Sequence, residues 1–194
     1  MFIQTEATPN PATLKFRPGK DVMGSDGKTA GTLDMRDADA AAASSPLAEK
    51  LFAIEGVAGV FFGSDFITVT KGNMEWAHMR PAILGVIMEH YMSGAPVLRA
   101  DAAPAAADDE GEFFAQEDAE TVSTIKELLE TRIRPAVAGD GGDITFKGFK
   151  NGVVYLTMKG SCAGCPSSTA TLKHGIQNLL KHFLPDVQSV EAVA

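Results

Sequence analysis

Residues 143–168 read DITFKGFKNGVVYLTMKGSCAGCPSS. Two β-rich runs, DITFKGF and VVYLTMK, flank Lys150-Asn151-Gly152, and Asn-Gly is a strong hairpin signal because both residues accept positive φ. The second run leads into a loop holding Cys162 and Cys165. Pro166 follows at a place suited to the first position of a helix, where no N–H is needed. Behind it Leu172, Ile176, Leu179, Leu180 and Phe183 recur at helical spacing. Pro185 ends that helix, and VQSVEAV makes a last strand. Upstream, Val122, Ile125, Leu128, Leu129 and Ile133 form another helical stripe, which stops near Pro135. The order α-β-β-α-β over residues 117–194 predicts a small α+β domain with its C-x-x-C loop at a helix N-terminus.

The stretch before it breaks the pattern. Residues 93–116 contain APVLRADAAPAAADDEGEFFAQ, rich in Ala, Pro, Asp and Glu. Such a segment buries too little apolar surface to offset its ordering entropy. It is expected to be a flexible linker, reaching about 25–30 Å on average. Phe113 and Phe114 stand out in it, either as a staple for the next helix or as a docking spot for a partner.

Residues 1–92 read as a second small domain. FIQTEAT and ATLKF are short strands around the turn Pro9-Asn10-Pro11. The Gly/Asp-rich stretch from Pro18 to about Ala40 gives no assignable element. Ser45 as N-cap, Pro46 at the first helical position and Glu49 at capping distance predict a helix to Ile54, with Leu47, Leu51 and Ile54 on one face. VAGVFF and DFITVTK, parted by Gly63-Ser64, read as a hairpin. Asn73 can cap a helix to about Met92, with Trp76, Met79, Ile83, Ile87 and Tyr91 as its apolar stripe and Pro81 as a kink point. The whole is therefore α+β, two small domains joined by a linker.

Composition bounds the function. The chain has 194 residues, 45% hydrophobic and 22% charged, enough apolar material for a core without disulfide staples. A net charge of -8 and a pI near 5.0 argue against nucleic acid and anionic membranes as partners. No apolar run approaches the roughly 20 residues of a membrane span. The start, MFIQTEATPNPATLKF, has neither a basic n-region nor the Arg-rich, acid-poor character of a transit peptide. A cytoplasmic protein, or a mature form without its targeting segment, is expected.

The two cysteines carry the chemistry. A pair this close, in a chain with no secretion signal, points to metal binding or redox work. Both sulfurs are expected near the positive end of a helix, which favours the thiolate, the metal-binding form. Gly160 and Gly164 allow a tight loop and free backbone N–H groups. A [4Fe–4S] cluster takes four cysteine thiolates, and one chain offers two. The others come from a second chain, an external thiol or nothing; a C2 homodimer sharing one cluster solves the count simply.

Other readings compete. A thioredoxin-like dithiol also places C-x-x-C at a helix N-terminus, but that fold continues with more strands than the residues after Cys165 can supply. A zinc site between two chains would need four ligands in tetrahedral array. An inert buried pair is the structural alternative. His174 and His182 fall on a polar helix face, and His78 and His90 carry no ligand spacing. Gly139-Asp140-Gly141-Gly142-Asp143 lacks the lysine of a phosphate loop and reads as a turn into the hairpin, near the cysteine loop. No Ser/His/Asp set or catalytic carboxylate pair stands out, so no enzymatic activity is expected.

The segments Arg134-Pro135-Ala136-Val137, Gly141-Gly142-Asp143-Ile144 and Gly160-Ser161-Cys162-Ala163-Gly164-Cys165-Pro166-Ser167-Ser168 resemble the NifU C-terminal domain. Pro9-Asn10-Pro11-Ala12-Thr13-Leu14-Lys15-Phe16 and Phe61-Phe62-Gly63-Ser64-Asp65-Phe66-Ile67-Thr68-Val69 are similar to the Nfu N-terminal domain. The resemblance covers almost the whole chain outside the linker. It implies a scaffold or carrier that takes a [4Fe–4S] cluster from upstream assembly proteins and delivers it to apo-enzymes of the lipoyl synthase and aconitase type. It further implies Cys162 and Cys165 as the cluster ligands, with one cluster per homodimer. The mitochondrial members carry a targeting segment that this chain lacks, so a bacterial cytoplasmic relative is expected. It also lacks the further cysteines of a full-length NifU, which favours delivery over de novo assembly.

Overall fold

The computed structural model describes residues 2–24, 31–100 and 111–193. The chain divides into two compact units, Met1–Ala105 and Ala106–Ala194. Among the described residues no helix is long and apolar enough to cross a membrane.

The first unit holds an antiparallel five-stranded sheet in the order β1-β2-β5-β4-β3. The strands are β1 (Gln4–Ala7), β2 (Thr13–Arg17), β3 (Leu33–Met35), β4 (Val57–Phe62) and β5 (Ile67–Lys71). Both expected strand pairs form: β1 with β2 around the Pro9-Asn10-Pro11 turn, and β4 with β5 around Gly63-Ser64. Helices α1 (Ala38–Ser44), α2 (Pro46–Phe52) and α3 (Trp76–Ser93) complete the unit. Ser45 caps α2 by accepting the Ala48 N–H at 3.1 Å, and Leu47, Ala48 and Leu51 are buried. In α3 the predicted stripe is real, since Met79, Ile83 and Ile87 are fully buried. That helix starts later than expected, with Glu75 and not Asn73 at its N-cap. Strand β3 and helix α1 lie in the Gly/Asp-rich stretch that the pattern left unassigned; residues 25–30 of it fall outside the described residues.

The second unit runs from a 3₁₀ turn (Gln116–Asp118) into α4 (Ala119–Leu128), a π-helical turn (Leu129–Ile133) and α5 (Arg134–Gly139). Then come β6 (Gly142–Lys150), β7 (Val153–Gly160), α6 (Pro166–Phe183) and β8 (Ser189–Val193). The hairpin β6–β7 is antiparallel, and β8 pairs parallel with β7 after the α6 crossover. Asn151 and Gly152 both have positive φ, as a two-residue hairpin turn demands.

The helix expected to stop near Pro135 continues past it. Proline has no N–H for the carbonyl four residues back. The backbone widens instead, and the Arg134 N–H bonds the Leu129 carbonyl, five residues back.

Both ends of the segment expected as linker are folded. On the first unit, Ser45 Oγ donates to the Val97 carbonyl, and Arg99 bonds the Ala42 carbonyl and Glu49. On the second, Phe113 pairs with Gly148 and its ring lies 5.1 Å from that of Tyr155, while Phe114 meets Phe146 edge-on. Gly148 is required there, because a Cβ would sit 2.5 Å from the Phe113 ring. The two phenylalanines thus pack on the β6–β7 hairpin, where the staple reading had placed them against the next helix. Residues 101–110 of the segment lie outside the described residues.

His90 is 1% exposed, and its Nε2 has no partner among the described residues. Burial pushes its pKa below the ordinary 6.5, and the charge of Lys50 adds to that; a bond to the Pro96 backbone works against it. The folded value is depressed, so the contribution of the neutral ring is full above about pH 6.5 and is lost as pH falls toward the folded value. Trp76 is the only tryptophan and lies in this unit. We expect its urea-unfolding midpoint to fall below about pH 6.5, with a slope of up to about 1.4 kcal/mol per pH unit. His90→Asn should flatten that slope, and a slope untouched by the substitution would refute the assignment.

Candidate metal centre

The cysteine loop hangs between β7 and α6, bracketed by Gly160 and Gly164, both at positive φ. The turn Gly139–Asp143 packs beside it, as the sequence suggested. Ser161 Oγ donates to the Asp140 carbonyl at 2.6 Å, and the Ser161 N–H bonds the Gly141 carbonyl at 3.2 Å. Asp143 is 3% exposed and takes two bonds of 2.8 Å from Arg134, plus the Ile144 N–H. Arg134 also reaches Glu130 at 2.5 Å. The π-helical turn thus delivers a bidentate guanidinium to the carboxylate that anchors the neighbouring turn.

The two thiols occupy unlike places. Cys165 is partly exposed and is the N-cap residue of α6. Its sulfur lies 3.3 Å from Ser167 Oγ. Hydrogen bonds from the Ser167 and Ser168 side chains and backbone pull its pKa down to about 7. Cys162 is 5% exposed and belongs to the core of the second unit. Burial pushes it up to about 11, opposed by Ser161 and supported by the charges of Asp140 and Asp143. The expectation of two helix-stabilised thiolates therefore holds for Cys165 alone. Cys162 presents its backbone to the helix, with its carbonyl accepting Thr169 Oγ1 at 3.0 Å, while its sulfur turns inward. Gly142 makes room for it: a Cβ there would stand 2.6 Å from Cys162 Sγ and 2.7 Å from the Lys159 carbonyl.

From Cys165 a groove of ≈ 480 Å³ runs between α6 and β8. Thr169, Ala170 and Lys173 line one wall, Glu191 and Ala192 the other. Lys173 and Glu191 are joined at 2.7 Å. Residue order shows no sign of this groove, because its walls are some twenty residues apart and meet through the β7-α6-β8 crossover. His78, His174 and His182 are exposed. Among the described residues no three His, Cys, Asp or Glu side chains come together to hold a metal ion. A four-ligand centre at this loop takes two donors beyond Cys162 and Cys165.

Residues 3–94 match the family model described as scaffold protein Nfu/NifU N terminal, and residues 125–191 match the NifU-like domain. The chain is 54% identical over its full length to a protein of Drosophila sechellia named NFU1 iron-sulfur cluster scaffold homolog, mitochondrial, and covers 65% of it. It is 50% identical to the human protein of the same name, of which it covers 72%. The chain thus spans just under two thirds of the length of the fly relative. A solved NifU-like protein from Saccharomyces cerevisiae is similar at 25% identity and a TM-score of 0.44, over 52% of this chain and 87% of that one.

These matches correct one expectation. The cytoplasmic reading rested on the first sixteen residues, whereas the relatives are named mitochondrial and are longer than this chain. Where the chain begins carries no address, and the cytoplasmic assignment is withdrawn.

In the apo-protein, iodoacetamide should modify Cys165 with a midpoint near pH 7 and leave Cys162 unmodified until the fold opens. Peptide mass mapping across pH reads this directly. Equal labelling of both thiols at neutral pH would contradict the geometry.

Proposed function

The chain belongs to the Nfu family of iron–sulfur cluster scaffold proteins, and from that premise we propose that it carries a [4Fe–4S] cluster between two copies of itself and hands it to apo-proteins. The observation that carries the reading is the cysteine loop: one thiol is set out at a helix N-terminus, the other is three residues away, and among the described residues no three His, Cys, Asp or Glu side chains gather to hold a metal. Cys162 and Cys165 of each copy supply the four thiolates that such a cluster takes. The glycines at both ends of the loop let Cys162 turn outward, since Gly160 and Gly164 hold the left-handed backbone that side chains resist. A cluster held at a subunit junction by two loops is accessible and is readily given up.

The reading includes a division of labour. Residues 117–194 form the cluster-binding domain, residues 1–92 the domain that recognises apo-proteins or upstream assembly proteins, and residues 93–116 the connection. Scaffold is the role in the relatives' printed names, and a carrier of this kind needs no catalytic residues of its own.

Anaerobic reconstitution with iron and sulfide tests the proposal. About four irons and four sulfides per two chains are expected, in a species twice the mass of the chain. Cys162→Ala and Cys165→Ala each remove two of four ligands and should each abolish stoichiometric binding. A single variant with full cluster content would remove that residue from the ligand set, and a colourless protein with one zinc per two chains would replace the cluster by zinc.

The structure also sets where a truncation must start. A fragment of residues 111–194 keeps the Phe113–Tyr155 contact and the Glu112–Lys126 ion pair. It should match the full chain in cluster content. One beginning at residue 117 loses both contacts and should unfold earlier, by about 1–3 kcal/mol, in denaturant titration. No difference between the two fragments would show that the Phe113 strap contributes nothing.

A further inference from the structure

Handover requires that thiolates of the receiving protein replace those of the carrier, and the two carrier thiols are not equivalent. Cys165 stands at the mouth of the α6–β8 groove, with the Ser167 hydroxyl beside its sulfur. Cys162 does not line that groove, and in the metal-free loop its sulfur lies in the core behind the Gly142 backbone. An incoming group can reach a metal held at this loop along the groove, past Cys165, and the groove offers no such path past Cys162. Ala170 on α6 and Ala192 on β8 are the small residues of its two walls. Strand β8 is the edge of its sheet, paired with β7 alone among the described strands. Its Val190 N–H turns away from β7 and is taken by Gln177 Oε1 at 3.2 Å. By the alternation of a strand, the peptide of Ala192 faces the same open side. An edge of this kind accepts an extended segment by backbone pairing. The first turn of α6 presents positive potential to an entering thiolate, while the Lys173 charge in the wall is held by Glu191.

Building on the cluster-carrying role, we propose that handover is ordered: a cysteine on an extended segment of the apo-protein enters the groove between α6 and β8 and displaces Cys165 first, and Cys162 is released last. In the first exchange the incoming thiolate donates its electron pair to an iron of the cargo. The Fe–S bond to Cys165 breaks, and Cys165 departs with its own pair as thiolate. No electron is gained or lost, and charge is conserved. The departing Cys165 thiolate is received by the donors of Ser167 and Ser168. Cys162 keeps the cargo tethered until a second thiolate of the receiver is in place. Its sulfur then returns to the core pocket under Gly142, which opposes recapture. Ala170 and Ala192 are specificity-determining positions of the groove and touch no metal.

The test uses the full chain, reconstituted as holo-protein, with Ala170→Trp and Ala192→Trp as two independent obstructions and Ala170→Ser as control. Three readouts are taken: iron and sulfide per dimer, cluster loss to a small iron chelator, and the rate at which apo-aconitase regains activity. Both tryptophan variants should keep cluster content, dimer mass and chelator loss, while transfer slows about tenfold or more; the serine variant should match the parent chain. Transfer quenched part-way with iodoacetamide, followed by isolation of the carrier–receiver complex that still holds iron, should give chains alkylated at Cys165 and not at Cys162. Unimpaired transfer in both tryptophan variants overturns the proposal, as does finding in that iron-holding complex Cys162 alkylated or neither thiol alkylated. Loss of the dimer or the cluster in the variants alone would make the groove a contact between copies and overturns the proposal while leaving the carrier role intact. Failure of the parent chain to hold a cluster would remove the carrier role and this proposal with it.

Discussion

The candidate centre depends on the ion pair between Arg134 and Asp143. Asp143 is all but removed from water, and an unpaired carboxylate there would cost several kcal/mol. The pair offsets its desolvation because the carboxylate takes three hydrogen bonds, two from one guanidinium and one from the Ile144 N–H, with Glu130 holding the far side of the arginine. The pair ties the helical segment to the first residues of β6. That fixes the Asp140–Gly142 turn, and the turn in turn seats Ser161 and leaves space for the Cys162 sulfur. The origin of this chain of contacts is Pro135. Without a proline at that point the helix would have no reason to widen to a π turn, and Arg134 would stand elsewhere on the helix surface.

The geometry makes two chemically identical residues different. Three positions along the chain separate Cys162 from Cys165, yet one belongs to the core and the other to a helix N-terminus open to solvent. For a permanent cofactor such asymmetry would be a defect, since a ligand that prefers the core competes with the metal. In the proposed carrier role it would have a use. Binding energy partly offset by drawing Cys162 out of its pocket would be returned when the cargo leaves. The balance between holding and release would then be set by packing as well as by metal–sulfur chemistry.

Much of this was legible in residue order. The strands announce themselves by β-branched and aromatic runs, the Asn151-Gly152 turn by its tolerance of positive φ, and α2 by Ser45 and Pro46. The cysteine spacing named the candidate site before any coordinate was known. What stayed hidden shares a cause. Strand β3 pairs with β4 from within a Gly/Asp-rich stretch, so its partner and not its composition makes it a strand. The helix past Pro135 survives because a local widening replaces the missing bond. The burial of Cys162 depends on Gly142, twenty residues away and reached only through the hairpin register that sets Gly142 opposite Gly160. Local pattern reports local preference; these features are decided by tertiary neighbours.

The groove is the clearest case, and its origin is topological. A parallel partner for β7 cannot be reached by a tight turn and needs a crossover, here the eighteen residues of α6. The crossover starts at the cysteine loop, and parallel pairing returns β8 in the same direction as β7, so its last residues lie at the end of the sheet where that loop hangs. Glu191 and Ala192 therefore come to Cys165 by necessity of the fold, and the lysine that meets Glu191 is placed two turns into the same helix. A sheet extended by an antiparallel hairpin would have run its final strand the other way and left the thiol without a wall. One element thus does two things at this site: α6 offers its N-terminus to the Cys165 thiol and its flank to the groove beside that thiol, the pairing that the proposed carrier role calls for.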